Sequence, residues 1–86
     1  MHEAVERRSD EITATISEVL GVEPELVTEE ALFREDLGAD SLKLIELLAS
    51  FEVEFDVEIG TDHLERMVNV RGVKEVLDET LSAARP

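Results

Sequence analysis

The side chains of this sequence that could do chemistry are few. Ser41 follows Asp40 at the end of the turn Leu37-Gly38-Ala39-Asp40, His2 and His63 are the only imidazoles, and there is no cysteine. The Ser41 hydroxyl has two readings. Ser and Asp are favoured helix N-caps, so either side chain can serve to satisfy a free backbone N–H. Alternatively, the hydroxyl is presented at the start of a helix for another enzyme to modify. Nucleophilic catalysis by the chain itself is disfavoured: no His lies near Ser41 in sequence, and Gly38-Ala39-Asp40-Ser41 is not the Gly-x-Ser-x-Gly of a nucleophile elbow. The acids between residues 52 and 58 lack the glycine and spacing of an EF-hand loop, both histidines are expected at the surface, and no metal site is expected.

The composition narrows the function classes. The chain has 86 residues, with 8 Lys and Arg against 22 Asp and Glu, a formal charge of −14. That length suits a single domain over residues 1–86, with too little interior for the deep clefts of most metabolic enzymes, so the chain is read as a non-enzyme. Phosphate backbones are bound by clustered Lys and Arg, so nucleic acid is disfavoured and proteins with basic docking surfaces are the natural partners. The 43% hydrophobic content is spaced along the chain, as a folded core requires. The absence of cysteine excludes a disulfide framework. The first residues lack the basic and apolar regions of a signal peptide and no stretch is long enough to span a bilayer, so the expectation is a cytoplasmic protein without membrane insertion.

The elements that position Ser41 follow from periodicity. Val5, Ile12, Ile16 and Val19 recur at helical spacing through residues 3–20, and Gly21 stands where a left-handed C-cap belongs. Residues 21–39 contain Pro24 and Gly38 but also Leu26, Val27, Leu32, Phe33 and Leu37, which predicts a long loop pinned to the core. Residues 41–55 give the strongest helical pattern in the chain. A short third helix is expected over residues 62–67, with Asp62 as N-cap and Glu65 three residues on. Asn69 should cap a last helix whose stripe is Val73, Val76, Leu77 and Leu81, despite Gly72 near its start. Residues 53–59 alternate as a strand would, but a lone strand has no partner and is rejected.

On a helical wheel at about 100° per residue, Leu44, Leu47, Leu48, Phe51 and Phe55 share one sector, the predicted core face. Leu42, Ile45, Ala49 and Val53 form a second apolar row flanked by Glu46 and Glu52. Either these are scattered surface residues, or the row is a docking strip for a partner whose apolar groove is rimmed by Lys and Arg. Residues 44–65 hold seven acids and no Lys or Arg, so the field here has one sign; Glu54, Asp56 and Glu58 are read as a solvated face.

The heptad Asp36-Leu37-Gly38-Ala39-Asp40-Ser41-Leu42 resembles the modification site of acyl carrier proteins. The likeness extends to Leu32-Phe33 before it, Ile45-Glu46-Leu47 after it, Glu54-Phe55, Glu58-Ile59 and Val70, covering roughly residues 16–81. The resemblance implies an all-α, acyl-carrier-like four-helix bundle, with three longer helices, a short third helix and a long first loop. It implies 4'-phosphopantetheine joined to Ser41 through a phosphodiester, with Asp40 in a supporting role during transfer. It also implies partner docking through Leu42, Ile45, Glu46, Ala49 and Glu52. The partners would be a phosphopantetheinyl transferase and acyl-loading and acyl-processing enzymes, met by a monomer. A flexible arm ending in a thiol would hold acyl groups as thioesters at high effective concentration.

The chain departs from the family pattern in places. Lys43 stands where many fatty-acid carriers have an acid, Leu44 and Val53 make the second helix more apolar, and Gly60 replaces a common proline. These departures favour a carrier of specialised polyketide or fatty-acyl biosynthesis over the primary fatty-acid carrier. The alternatives are an aminoacyl or peptidyl carrier, or an acidic helical interaction module without a prosthetic group.

Overall fold

A computed structural model describes residues 2–83. Its helices are α1 (Glu3–Arg7), α2 (Ser9–Leu20), α3 (Ser41–Phe55) and α4 (Val70–Ala83), with 3-10 turns at Pro24–Leu26 and Thr61–Arg66. No strand occurs among the described residues, and no helix of theirs is long and apolar enough to cross a membrane.

The core collects one face from each long helix. Val5, Ile12 and Ile16 from the N-terminal helices meet Leu44, Leu47, Leu48, Phe51 and Phe55 of α3 and Val70, Val73, Val76 and Leu77 of α4. All five residues of the predicted α3 core face are therefore buried, as helical periodicity requires. Within residues 21–39, Val27, Phe33 and Ala39 are buried and pin the loop, whereas Leu26 is exposed.

The predicted first helix is interrupted. At Arg8 the backbone leaves helical geometry, with φ −103° and ψ 21°. No glycine or proline marks the break; long-range contacts of Arg8 accompany it. Its guanidinium lies 3.8 Å from the centroid of the Phe55 ring, donates to the Glu54 carbonyl at 2.8 Å and pairs with Glu11. This residue therefore stacks on the end of α3 and satisfies one of its free carbonyls.

The third element also differs from expectation. Residues 61–66 form a 3-10 turn whose N-cap is Gly60, and Asp62 makes no capping bond. The remaining ends match the local rules. Gly21 closes α2 at φ 69°, and Asn69 Oδ1 accepts from the Gly72 amide at 2.8 Å. Gly72 itself is dictated by packing: a Cβ there would collide with the Arg66 backbone carbonyl.

Both histidines are half-buried rather than exposed. His2 Nδ1 accepts from the Ala4 amide at 3.0 Å and so caps α1, while the His2 amide donates to Asp78. Glu54 is likewise no solvated acid, because the buried Thr15 hydroxyl donates to its carboxylate at 2.7 Å.

Two measurements follow. Gly72→Ala should lower the urea midpoint at unchanged slope, by about 1–3 kcal/mol of overpacking strain; an unchanged or raised midpoint, as helix propensity alone would give, contradicts the packing role. Hydrogen bonds from Arg8 and Arg66 hold the Glu11 and Glu79 carboxylates below the ordinary glutamate range. With the folded pKa below the unfolded one, the associated stability is complete above the unfolded value and lost as pH falls through the folded one. Glu79→Gln should therefore flatten the acid limb of stability below roughly pH 5, while a limb identical to wild type removes the pair from the balance.

Candidate functional site

The turn before α3 is built by its own side chains. The Leu32 amide donates to Asp36 Oδ2 at 2.8 Å, and the Asp36 and Leu37 amides return to the Leu32 carbonyl at 2.8 and 3.1 Å. Gly38 adopts φ 73°, a left-handed conformation that glycine takes without strain. Phe33 is wholly buried; its amide donates to the Val68 carbonyl at 2.9 Å, and its carbonyl accepts from Ala39 at 2.8 Å. These bonds bring Arg34 and Ser41 together across the turn.

The two readings of the Asp40-Ser41 pair are separated by geometry. Asp40 is the N-cap, its Oδ1 accepting from the Lys43 amide at 2.9 Å. Ser41 is the first helical residue and is exposed, so its hydroxyl is not consumed in capping. Instead the Arg34 guanidinium donates to Ser41 Oγ at 2.7 Å. The hydroxyl proton and a lone pair remain available to a reaction partner.

Beside Ser41 lies a groove of about 250 Å³ between α3, the turn and residues 64–68. Phe33, Leu44, Ile45, Leu64 and Val68 give it apolar walls, and Arg34, Glu35, Ser41 and Glu65 add polar groups. The sequence reading missed both Arg34 and this groove. Periodicity carries no signal for either, because they arise from a turn folded against a distant 3-10 element.

The second apolar row of α3 is exposed, with Leu42 at 61%, Ile45 at 47% and Val53 at 82% of full accessibility. Ala49 and Glu46 are exposed on the same helix, and Glu46 pairs with Lys43 at 3.6 Å. Glu52 differs from the expected free carboxylate: it is half-buried and Oε2 accepts from the Ile59 amide at 2.7 Å, fixing the segment after α3. Among the described residues no group of His, Asp and Glu side chains could hold a metal ion.

The residues around Ser41 fit a phosphodiester-linked pantetheine arm. An accessible hydroxyl is the attachment chemistry, a guanidinium is a counter-charge for phosphate, and an apolar groove adjoins both.

Comparison with known proteins bears on the family. Residues 10–77 match the family model described as phosphopantetheine attachment site. The chain is 46% identical over 71 residues to an acyl carrier protein of Zymomonas mobilis subsp. mobilis (strain ATCC 31821 / ZM4 / CP4), covering 83% of this chain and 91% of that protein. Among solved structures it is similar to the solution structure of oxytetracycline acyl carrier protein, with a TM-score of 0.69 and 26% identity over 90% of this chain and 84% of that one. An all-helical bundle in which most of the length matches such carriers leads to one conclusion: the chain belongs to the acyl carrier protein family, whose prosthetic group is 4'-phosphopantetheine.

Proposed function

We propose that Ser41 is the attachment residue, and that the loaded carrier serves specialised polyketide or fatty-acyl biosynthesis. The observation that carries the first part is the exposed Ser41 hydroxyl, freed from capping by Asp40 and set beside the groove. In the attachment reaction Ser41 Oγ attacks the phosphorus of coenzyme A that bears the pantetheine. The new bond is Oγ–P; the pyrophosphate P–O bond breaks, 3',5'-adenosine bisphosphate leaves, and the hydroxyl proton passes to a base on the transferase. Asp40 supports the step by holding the first turn of α3 in place. Once attached, the group supplies a terminal thiol that holds acyl chains as thioesters.

Docking is assigned to Leu42, Ile45, Glu46 and Ala49, where apolar contact energy and an acidic edge coincide. Glu52 contributes charge at the margin of the strip while its carboxylate stays tied to Ile59. The specialised pathway is supported by Lys43, whose pairing with Glu46 lowers the negative charge beside Ser41, by the heavily exposed Val53, and by the likeness to oxytetracycline acyl carrier protein.

Incubation with coenzyme A and a broad-specificity phosphopantetheinyl transferase should add the mass of one phosphopantetheinyl group, and Ser41→Ala should abolish the gain. An undiminished gain in Ser41→Ala moves the attachment point elsewhere. Glu46→Lys should slow transfer by partner enzymes roughly 3- to 10-fold at low salt and flatten its salt dependence, whereas Lys43→Asp should speed loading by enzymes of primary fatty-acid synthesis. Rates insensitive to both changes and to salt would refute electrostatic docking through this strip.

A further inference from the structure

We propose that Arg34 is the built-in counter-ion for the phosphodiester created on Ser41, fixing the root of the prosthetic arm beside the apolar groove. This rests on the assignment of Ser41 as the attachment residue.

A census of the cations carries the inference. Of the eight Lys and Arg residues, Arg85 lies outside the described residues. Of the other seven, six pair with carboxylates: Arg7 with Glu3, Arg8 with Glu11, Lys43 with Glu46, Arg66 with Glu79, Arg71 with Glu30 and Lys74 with Glu29. Arg34 alone among the described cations forms no ion pair. In a chain with 22 acids this is unexpected, the more so because Glu35 and Asp36 are its neighbours in sequence. Its partner is instead the neutral Ser41 hydroxyl, at 2.7 Å.

Attachment changes that contact in a defined way. The hydroxyl loses its proton to the transfer reaction, and Oγ becomes a bridging ester oxygen, a poorer acceptor. Two non-bridging oxygens sharing one negative charge then stand two bonds beyond Oγ, on the new phosphorus. A guanidinium already touching Oγ reaches them by a small rotation, and its planar fork matches their geometry. A bond from the cation to a neutral hydroxyl is thereby exchanged for one in which both partners are charged, with two acceptor oxygens matched to the fork. The same contact offsets repulsion of the new anion by Glu35, Asp36 and Asp40. Because Arg34 and Ser41 both line the groove with Phe33 and Leu64, an arm held at its phosphate starts from the groove side of α3.

The test compares unmodified and pantetheinylated protein for wild type, Arg34→Gln and Arg34→Lys, with intact mass establishing loading. Arg34 is exposed, so these variants keep the fold. In wild type, loading should shift the Arg34 Nε–H resonance and slow its exchange with water. Loading should also raise the folding equilibrium constant about 2- to 5-fold, the range of an exposed charge pair. Arg34→Gln should lose that gain, and Arg34→Lys should restore part of it as a point charge without the fork. The phosphodiester phosphorus resonance should move with salt in wild type and not in Arg34→Gln. Full loading with an unmoved Nε–H signal and equal gains in wild type and Arg34→Gln overturns the counter-ion role alone. Wild-type protein that gains no mass overturns the attachment reading, and the counter-ion with it.

Discussion

The geometry at Ser41 depends on the burial of Phe33. That ring is removed from solvent in the middle of a long connecting segment, and its backbone is held on both sides, to Val68 across the bundle and to Ala39 along the chain. Burying a phenylalanine contributes roughly 2–3 kcal/mol, and here it orders a segment with few helical hydrogen bonds of its own. Arg34 is the next residue, and Ala39 is two residues before Ser41. This largest of the loop's apolar anchors therefore helps set the separation of a cation and a hydroxyl seven positions apart, and it does so with the same side chain that forms one wall of the groove.

Much of this was legible in the sequence where the determinant is local. The α3 core face, its exposed apolar row, the left-handed end at Gly21 and the Asn69 cap follow from spacing and residue type, and the heptad around Ser41 carries the family. What escaped the sequence depends on partners far along the chain. The break at Arg8 is bound up with Phe55 and Glu54, Glu54 with Thr15, and Gly72 with the Arg66 carbonyl. The turn at residues 61–66 is 3-10 although its composition permits an α-helix, and Gly60 rather than Asp62 stands at its capping position. Arg34 had no signature at all: a single arginine in a loop gains meaning only from what faces it.

The distribution of charge has the same local character. Six of the seven described Lys and Arg residues pair with carboxylates, and residues 44–65 carry seven acids with no Lys or Arg of their own segment. In the docking proposed above, a surface of one sign with an apolar row through it would guide a basic partner during approach and then offer it dispersion and desolvation on contact. Lys43 sits at the upper end of this surface and, through Glu46, breaks its uniformity next to the serine.

The contacts of α3 are unequal at its two ends. Near the C-terminus, Arg8 stacks on Phe55 and bonds the Glu54 carbonyl, Thr15 holds the Glu54 carboxylate, and Glu52 holds Ile59. Near the N-terminus, the side-chain ties are the helix's own Asp40 cap and one exposed bond from Arg34. Side-chain bonds from α2 and its cap thus hold the end of α3 remote from Ser41, while the serine end relies on buried Phe33, Ala39 and Leu44 and on its own cap, which leaves the hydroxyl at the less encumbered end of the helix.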